Sequence, residues 1–97
     1  MDFIYKYQGL EFQWDTNKAR INIEKHGITF EEAIEVFFDP FYQMGDAFTN
    51  NETREFIIGY SLNYRLLFVV YLERGQRIRI ISARNVTKYE SQLYEQS

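Results

Sequence analysis

Four side chains that can hold or steer an anion, Arg77, Arg79, Ser82 and Arg84, are threaded through Arg77-Ile-Arg-Ile-Ile-Ser-Ala-Arg84, a run that otherwise reads as the interior of a sheet. A second polar group sits on a segment of helical spacing, with Lys18, Asn22 and Lys25 in one stripe and His26 at its end. Arginine's planar fork meets phosphate oxygens two at a time, and histidine exchanges a proton near neutral pH. Metal-free RNA cleavage by a 2′-hydroxyl needs a proton acceptor, cations to hold charge on the pentacovalent phosphate, and a donor for the leaving 5′-oxygen. His26 as proton carrier with Arg79 and Arg84 as phosphate stabilisers fits those catalytic roles. They must then converge on one phosphate-sized space.

Each of these residues also has a plain structural role. Arg77 and Arg79 on a solvated sheet face would pair with Glu55, Glu73 or a helix carboxylate. Arg84, just beyond the strand, would bind free carbonyls. His26 in a last helical turn is stabilised as a cation by the helix dipole. Glu90 completes a capping box with Thr87 rather than doing chemistry, and Trp14 at an alternating position reads as core.

Other chemistries lack their residues. The chain has no glycine-rich phosphate loop, no paired-histidine metal helix and no nucleophile elbow. With no cysteine and one histidine, neither a metal centre of the usual kind nor a cofactor is expected. The net charge of −3 argues against a nucleic-acid partner until it is divided along the chain. Residues 1–64 carry 5 basic and 11 acidic side chains, whereas residues 65–88 carry 6 basic and only Glu73 acidic. That asymmetry points to an anionic partner for one face.

The elements that position these residues follow from periodicity. Residues 3–14 alternate as two short strand pieces about Gly9, and Asp15 caps a helix that Gly27 stops after His26. Thr29 and Glu32 form a capping box for a second helix, with Glu31, Glu32 and Glu35 turned outward and an end before Pro40. Residues 41–53 read as a short aromatic piece and a polar loop. Three strands follow, Arg54–Ser61, Arg65–Glu73 and Arg77–Ala83, in an antiparallel meander whose middle member is apolar on both faces and covered on both. A bulge at Ile80-Ile81 would re-aim Ser82 and Arg84 toward the side of Arg79. A helix capped by Thr87 and Glu90 closes the chain, packed back through Tyr89 and Leu93.

A 97-residue chain makes one domain, 1–97, of α+β class, with N-terminal strands, two helices, an antiparallel meander and a C-terminal helix. The N-terminus lacks the order of a signal peptide, and the longest apolar run, Leu66 to Leu72, is too short to span a bilayer. A cytoplasmic protein with no membrane contact is the expectation.

Taken together, Phe12-Gln-Trp-Asp-Thr-Asn-Lys-Ala19, Asn22-Ile-Glu-Lys-His-Gly27, Phe30-Glu-Glu-Ala33, Val36-Phe-Phe-Asp-Pro40, Ile58-Gly59, Arg65-Leu-Leu and Arg77–Arg84 with Thr87 and Glu90 resemble the BrnT family. The resemblance implies a RelE-like toxin of a type II toxin–antitoxin pair, a ribonuclease that arrests translation. It also implies neutralisation by a BrnA-like ribbon-helix-helix antitoxin in a hetero-oligomer that touches operator DNA only through the antitoxin. Carried over by position, it makes Lys18, Asn22, Lys25, Arg65, Arg77 and Ser82 RNA-binding candidates beside the catalytic set. Two features depart from the pattern: a C-terminal run, Ser91-Gln-Leu-Tyr-Glu95, without arginine, and a longer N-terminal extension that adds an edge strand. A degenerate, non-catalytic toxin that only binds its antitoxin, or a general nucleic-acid binder, are the competing readings.

Overall fold

The alternation of the first residues becomes a hairpin of β1 (Asp2–Tyr7) and β2 (Leu10–Asp15), turning through Gln8 and Gly9 with positive φ. The computed structural model describes residues 1–49 and 52–96. Asp15 leaves the strand as a helix cap, its carboxylate accepting from the Lys18 N–H at 3.0 Å, and α1 (Thr16–His26) ends on left-handed Gly27. A helix can begin at the residue where the strand stops because the cap itself keeps extended backbone.

The second helix is shorter than its periodicity suggests. Only α2 (Phe30–Ala33) is α-helical, and Ile34–Phe38 tightens into a 3-10 turn before Asp39, which is extended as a residue before proline must be. Thr29 caps it through the Glu32 N–H, but the Glu32 carboxylate is buried rather than turned outward. The chain then adds β3 (Gln43–Thr49), β4 (Glu52–Tyr60), β5 (Leu66–Arg74), β6 (Arg77–Asn85) and α3 (Lys88–Glu95).

All six strands form one sheet in the order β1-β2-β6-β5-β4-β3. The expected antiparallel meander is its β4–β5–β6 part, but the sheet is mixed, because β2 joins β6 in parallel over Glu11–Gln13 and Arg77–Arg79. The residues read as a polar loop supply edge strand β3. An edge strand needs no fully apolar face, and Gly45 within it leaves room for the Phe56 ring to lie across the backbone.

One face of the sheet packs on α1, α2 and the 3-10 turn through Phe12, Trp14, Ile34, Leu67, Val69 and Ile80, all buried. Aromatic rings of β1 extend this layer, with Phe3 and Tyr5 against Trp14 and Tyr7 against Phe38. Strand β5 is therefore fully covered on one face only, since Leu66, Phe68, Val70 and Leu72 on the other remain half-buried. Helix α3 lies against β4 and keeps its complete Thr87–Glu90 capping box. It is tied down by Tyr94, whose hydroxyl donates to Asp39 at 2.6 Å and whose ring meets Tyr60, while Tyr89 faces solvent.

The layers approach closely at Gly59, where a Cβ would stand 2.9 Å from the Val36 carbonyl oxygen and 3.1 Å from the Val36 Cβ. Backbone cannot yield there as a side chain would. Gly59→Ala is expected to lose about 1–3 kcal/mol in urea denaturation, more than Gly45→Ala, whose obstacle is the Phe56 ring.

Candidate nucleic-acid interface

Strand β6 carries one residue too many for its neighbour. Tyr71 pairs with Ile80 and Val70 with Ser82, leaving Ile81 as a bulge. The bulge lets Ile80 and Ala83 both face the core, and it returns Ser82 and Arg84 to the side of Arg79, opposite Val70, Phe68 and Leu72 respectively.

Beyond Arg79, β2 no longer accompanies β6, and α1 takes its place. The Asn22 amide donates to the Ala83 carbonyl at 2.8 Å and to the Ile28 carbonyl at 2.9 Å, while its oxygen accepts the Ala83 N–H at 3.1 Å. A side chain thus satisfies the edge of β6 as a strand would. Asn22 is the one buried residue of α1 and holds the helix against the strand.

This contact opens a cleft of about 180 Å³ between α1 and the bulge, lined by Lys18, Ile21, Asn22, Lys25, His26, Ile81 and Ser82. Five candidate polar residues from two distant segments are brought together here, and no carboxylate is among the lining side chains. Lys18, Lys25 and His26 recur at helical spacing on one side of α1, so the cleft has a cationic wall.

The arginines of β6 lie outside that cleft. Arg77 donates to Glu11 at 2.9 Å, not to Glu55 or Glu73. Arg79, only 14% exposed, reaches Asp2 at 3.1 Å, and its Nη1 is buried without a hydrogen-bond partner among the described residues. Arg84 grips Glu90 with both terminal nitrogens at 2.7 and 2.8 Å, donates to the Asn85 carbonyl, and lies 4.3 Å from the centre of the Phe68 ring. The three proposed catalytic residues therefore do not line one cavity: His26 stands in the cleft, and Arg79 and Arg84 stand on the sheet face, each with a carboxylate.

Arg65 belongs to a different unit. It forks onto buried Glu32 through Nε at 2.9 Å and through Nη2, and also reaches the Gly27 carbonyl, while the Ser61 hydroxyl donates to the same carboxylate at 2.7 Å. The Arg65 guanidinium holds the Glu32 carboxyl below the usual carboxylate range, as Arg84 does for Glu90 and Arg79 for Asp2. Sequence reading missed Asp2, Glu11 and Glu32 as partners. Their signal lay in the parallel β2–β6 register and in the α2 surface that meets the β4–β5 connection, neither of which a short-range pattern reveals.

The sequence of residues 14–90 matches the model of a family described as the ribonuclease toxin BrnT of type II toxin–antitoxin systems. The chain is also similar to the Brucella abortus ribonuclease toxin BrnT, whose crystal structure at 1.1 Å resolution aligns with a TM-score of 0.60 at 26% identity over 77% of this chain and 94% of that one. No curated protein gives a significant match. The family match begins at Trp14, so the strand residues Asp2 and Glu11 that neutralise Arg79 and Arg77 precede it.

Two outcomes follow from these contacts. Asn22→Ala strands the Ala83 N–H and two carbonyls, and is expected to lower stability by about 2–4 kcal/mol in chemical denaturation. Glu32 and Glu90 contribute stability above the ordinary glutamate pKa that is lost as pH falls through their depressed folded values. Thermal midpoints measured from neutrality downward are expected to drop increasingly below about pH 4.3, with a shallower acid limb in Glu32→Gln.

Proposed function

This chain belongs to the BrnT family of ribonuclease toxins of type II toxin–antitoxin systems, and on that premise we propose that it cuts RNA without a metal ion at the cleft between α1 and β6. The observation that carries this reading is His26 standing with Lys18, Lys25 and Ser82 around one phosphate-sized cleft. His26 takes the proton of the attacking 2′-hydroxyl or returns one to the leaving oxygen, and the two lysines hold the negative phosphate. A hard divalent cation seeks carboxylate oxygens, whereas this cleft presents ammonium groups and an imidazole.

Arg79 and Arg84 extend the anionic track across the adjoining sheet face. For either to grip RNA, phosphate has to take the place of Asp2 or Glu90, and Arg77 likewise exchanges Glu11. Asn22 and Arg65 support the interface by fixing α1 and its Gly27 end. Among the described residues no helix is long and apolar enough to cross a membrane. We place the activity in the cytoplasm, on RNA engaged in translation, within a RelE-like mode of action. A BrnA-like ribbon-helix-helix antitoxin restrains it and is the component that meets operator DNA.

A second reading, a non-catalytic toxin retained for antitoxin binding, is favoured by one specific observation. All three arginines of β6 are ion-paired within the chain. Incubation with RNA in EDTA separates the two. Cleavage is expected, with His26→Ala reducing it about 10²–10⁴-fold at an unchanged melting temperature. Intact RNA at micromolar folded protein leaves only the binding role.

A further inference from the structure

Among the described residues, the two non-glycine residues with left-handed backbone, Gln8 (φ 49°) and Tyr64 (φ 61°), line the same pocket. That conformation disfavours any residue with a Cβ. Tyr64 nevertheless keeps a large ring there, 87% exposed. The pocket, about 410 Å³, lies where the β1–β2 turn, the end of the 3-10 turn, the β4–β5 connection and α3 meet. It shares no lining residue with the α1–β6 cleft.

Its chemistry is one-sided. The rings of Phe38, Phe41, Tyr60, Tyr64 and Tyr94 surround it, Glu35 and Asp39 add two carboxylates, and no lysine, arginine or histidine lines it. The Asp39 carboxylate is held in place by the Phe41 and Tyr60 N–H groups and the Tyr94 hydroxyl, and Glu35 accepts the Leu62 N–H. Aromatic faces attract cations, and a guanidinium both stacks on a ring and forks onto a carboxylate. The rim is apolar, since Phe41, Leu62 and Tyr64 are all widely exposed, as at a docking surface.

We propose that this pocket receives an arginine side chain, flanked by apolar residues, from a protein partner; the toxin–antitoxin reading, on which this step rests, makes the antitoxin that partner. Charge complementarity selects the occupant: a neutral apolar segment would leave both carboxylates facing hydrocarbon, and a small anion would be repelled. The separation from the α1–β6 cleft means that this anchor holds the partner without itself filling the RNA site.

The test uses two synthetic peptides titrated calorimetrically into the full chain, identical except that a central arginine between leucines is replaced by neutral citrulline. The arginine peptide is expected to bind about tenfold more tightly. Glu35→Gln, which keeps an acceptor for Leu62, and Tyr64→Gly, which removes the ring at a φ glycine accepts, should each weaken it several-fold. Lys18→Gln should leave it unchanged. Equal affinity for both peptides, no binding of the arginine peptide, or indifference to Glu35→Gln and Tyr64→Gly overturns the pocket assignment. Co-expression with the antitoxin separates this from the underlying reading. A complex that survives Glu35→Lys with Tyr64→Gly overturns the anchor while the toxin–antitoxin pairing stands. Arginine-peptide binding without any antitoxin complex supports the pocket and removes the antitoxin as its occupant.

Discussion

The cleft depends on a single amide. Strand β6 loses its parallel neighbour after Arg79, and its exposed backbone groups at Ala83 have to be met by something other than a strand. Asn22 supplies one donor and one acceptor in the spacing a peptide would, so α1 is fixed in position and rotation at once. Given that constraint, Lys18, Lys25 and His26 have little choice about where they point. Isoleucine at residue 22 would fill the volume but leave the strand edge unsatisfied.

The second organising feature is the pairing of cations. Arg65, Arg77, Arg79 and Arg84 each face a carboxylate of this same chain, and they differ in how deeply it is held. Glu32 is buried and shared with Ser61, so the Arg65 pair is structural. The Arg77–Glu11 pair is exposed on both sides and contributes little on its own. Arg79 and Arg84 lie between these limits. Under the proposed function, such a strand would meet RNA only by exchanging internal partners for phosphate, and its affinity would be set by the difference between two ion pairs rather than by a count of arginines.

How much of this was legible depended on distance along the chain. Local signals were read correctly: the Asp15 cap, the Gly27 stop, the Thr87–Glu90 box, the turn near Gly9, and the extra residue at Ile80-Ile81 each rest on neighbours within a few positions. Long-range choices were not. Nothing near Glu32 announces Arg65, so it read as an outward helix residue although it is buried. Residues 43–49 look like a loop because an edge strand needs few apolar positions, and the parallel union of β2 with β6 is invisible to any pattern that scores hairpins. For the site, the stripe on α1 was legible from spacing. The division of its partners between the cleft and the sheet face was not, because it turns on where β2 leaves β6.

Ile81 separates β6 into two halves that are out of phase with each other. Arg77, Arg79 and their odd-numbered parity belong to the N-terminal hairpin, whereas Ser82 and Arg84 keep the even parity that serves α1 and α3. The strand works as a splice between two rulers. A hairpin upstream can then be remodelled without rotating a side chain in the half that borders the cleft. One inserted residue therefore insulates the interface from variation at the amino terminus, and its deletion would couple the two by turning one half of the strand inside out.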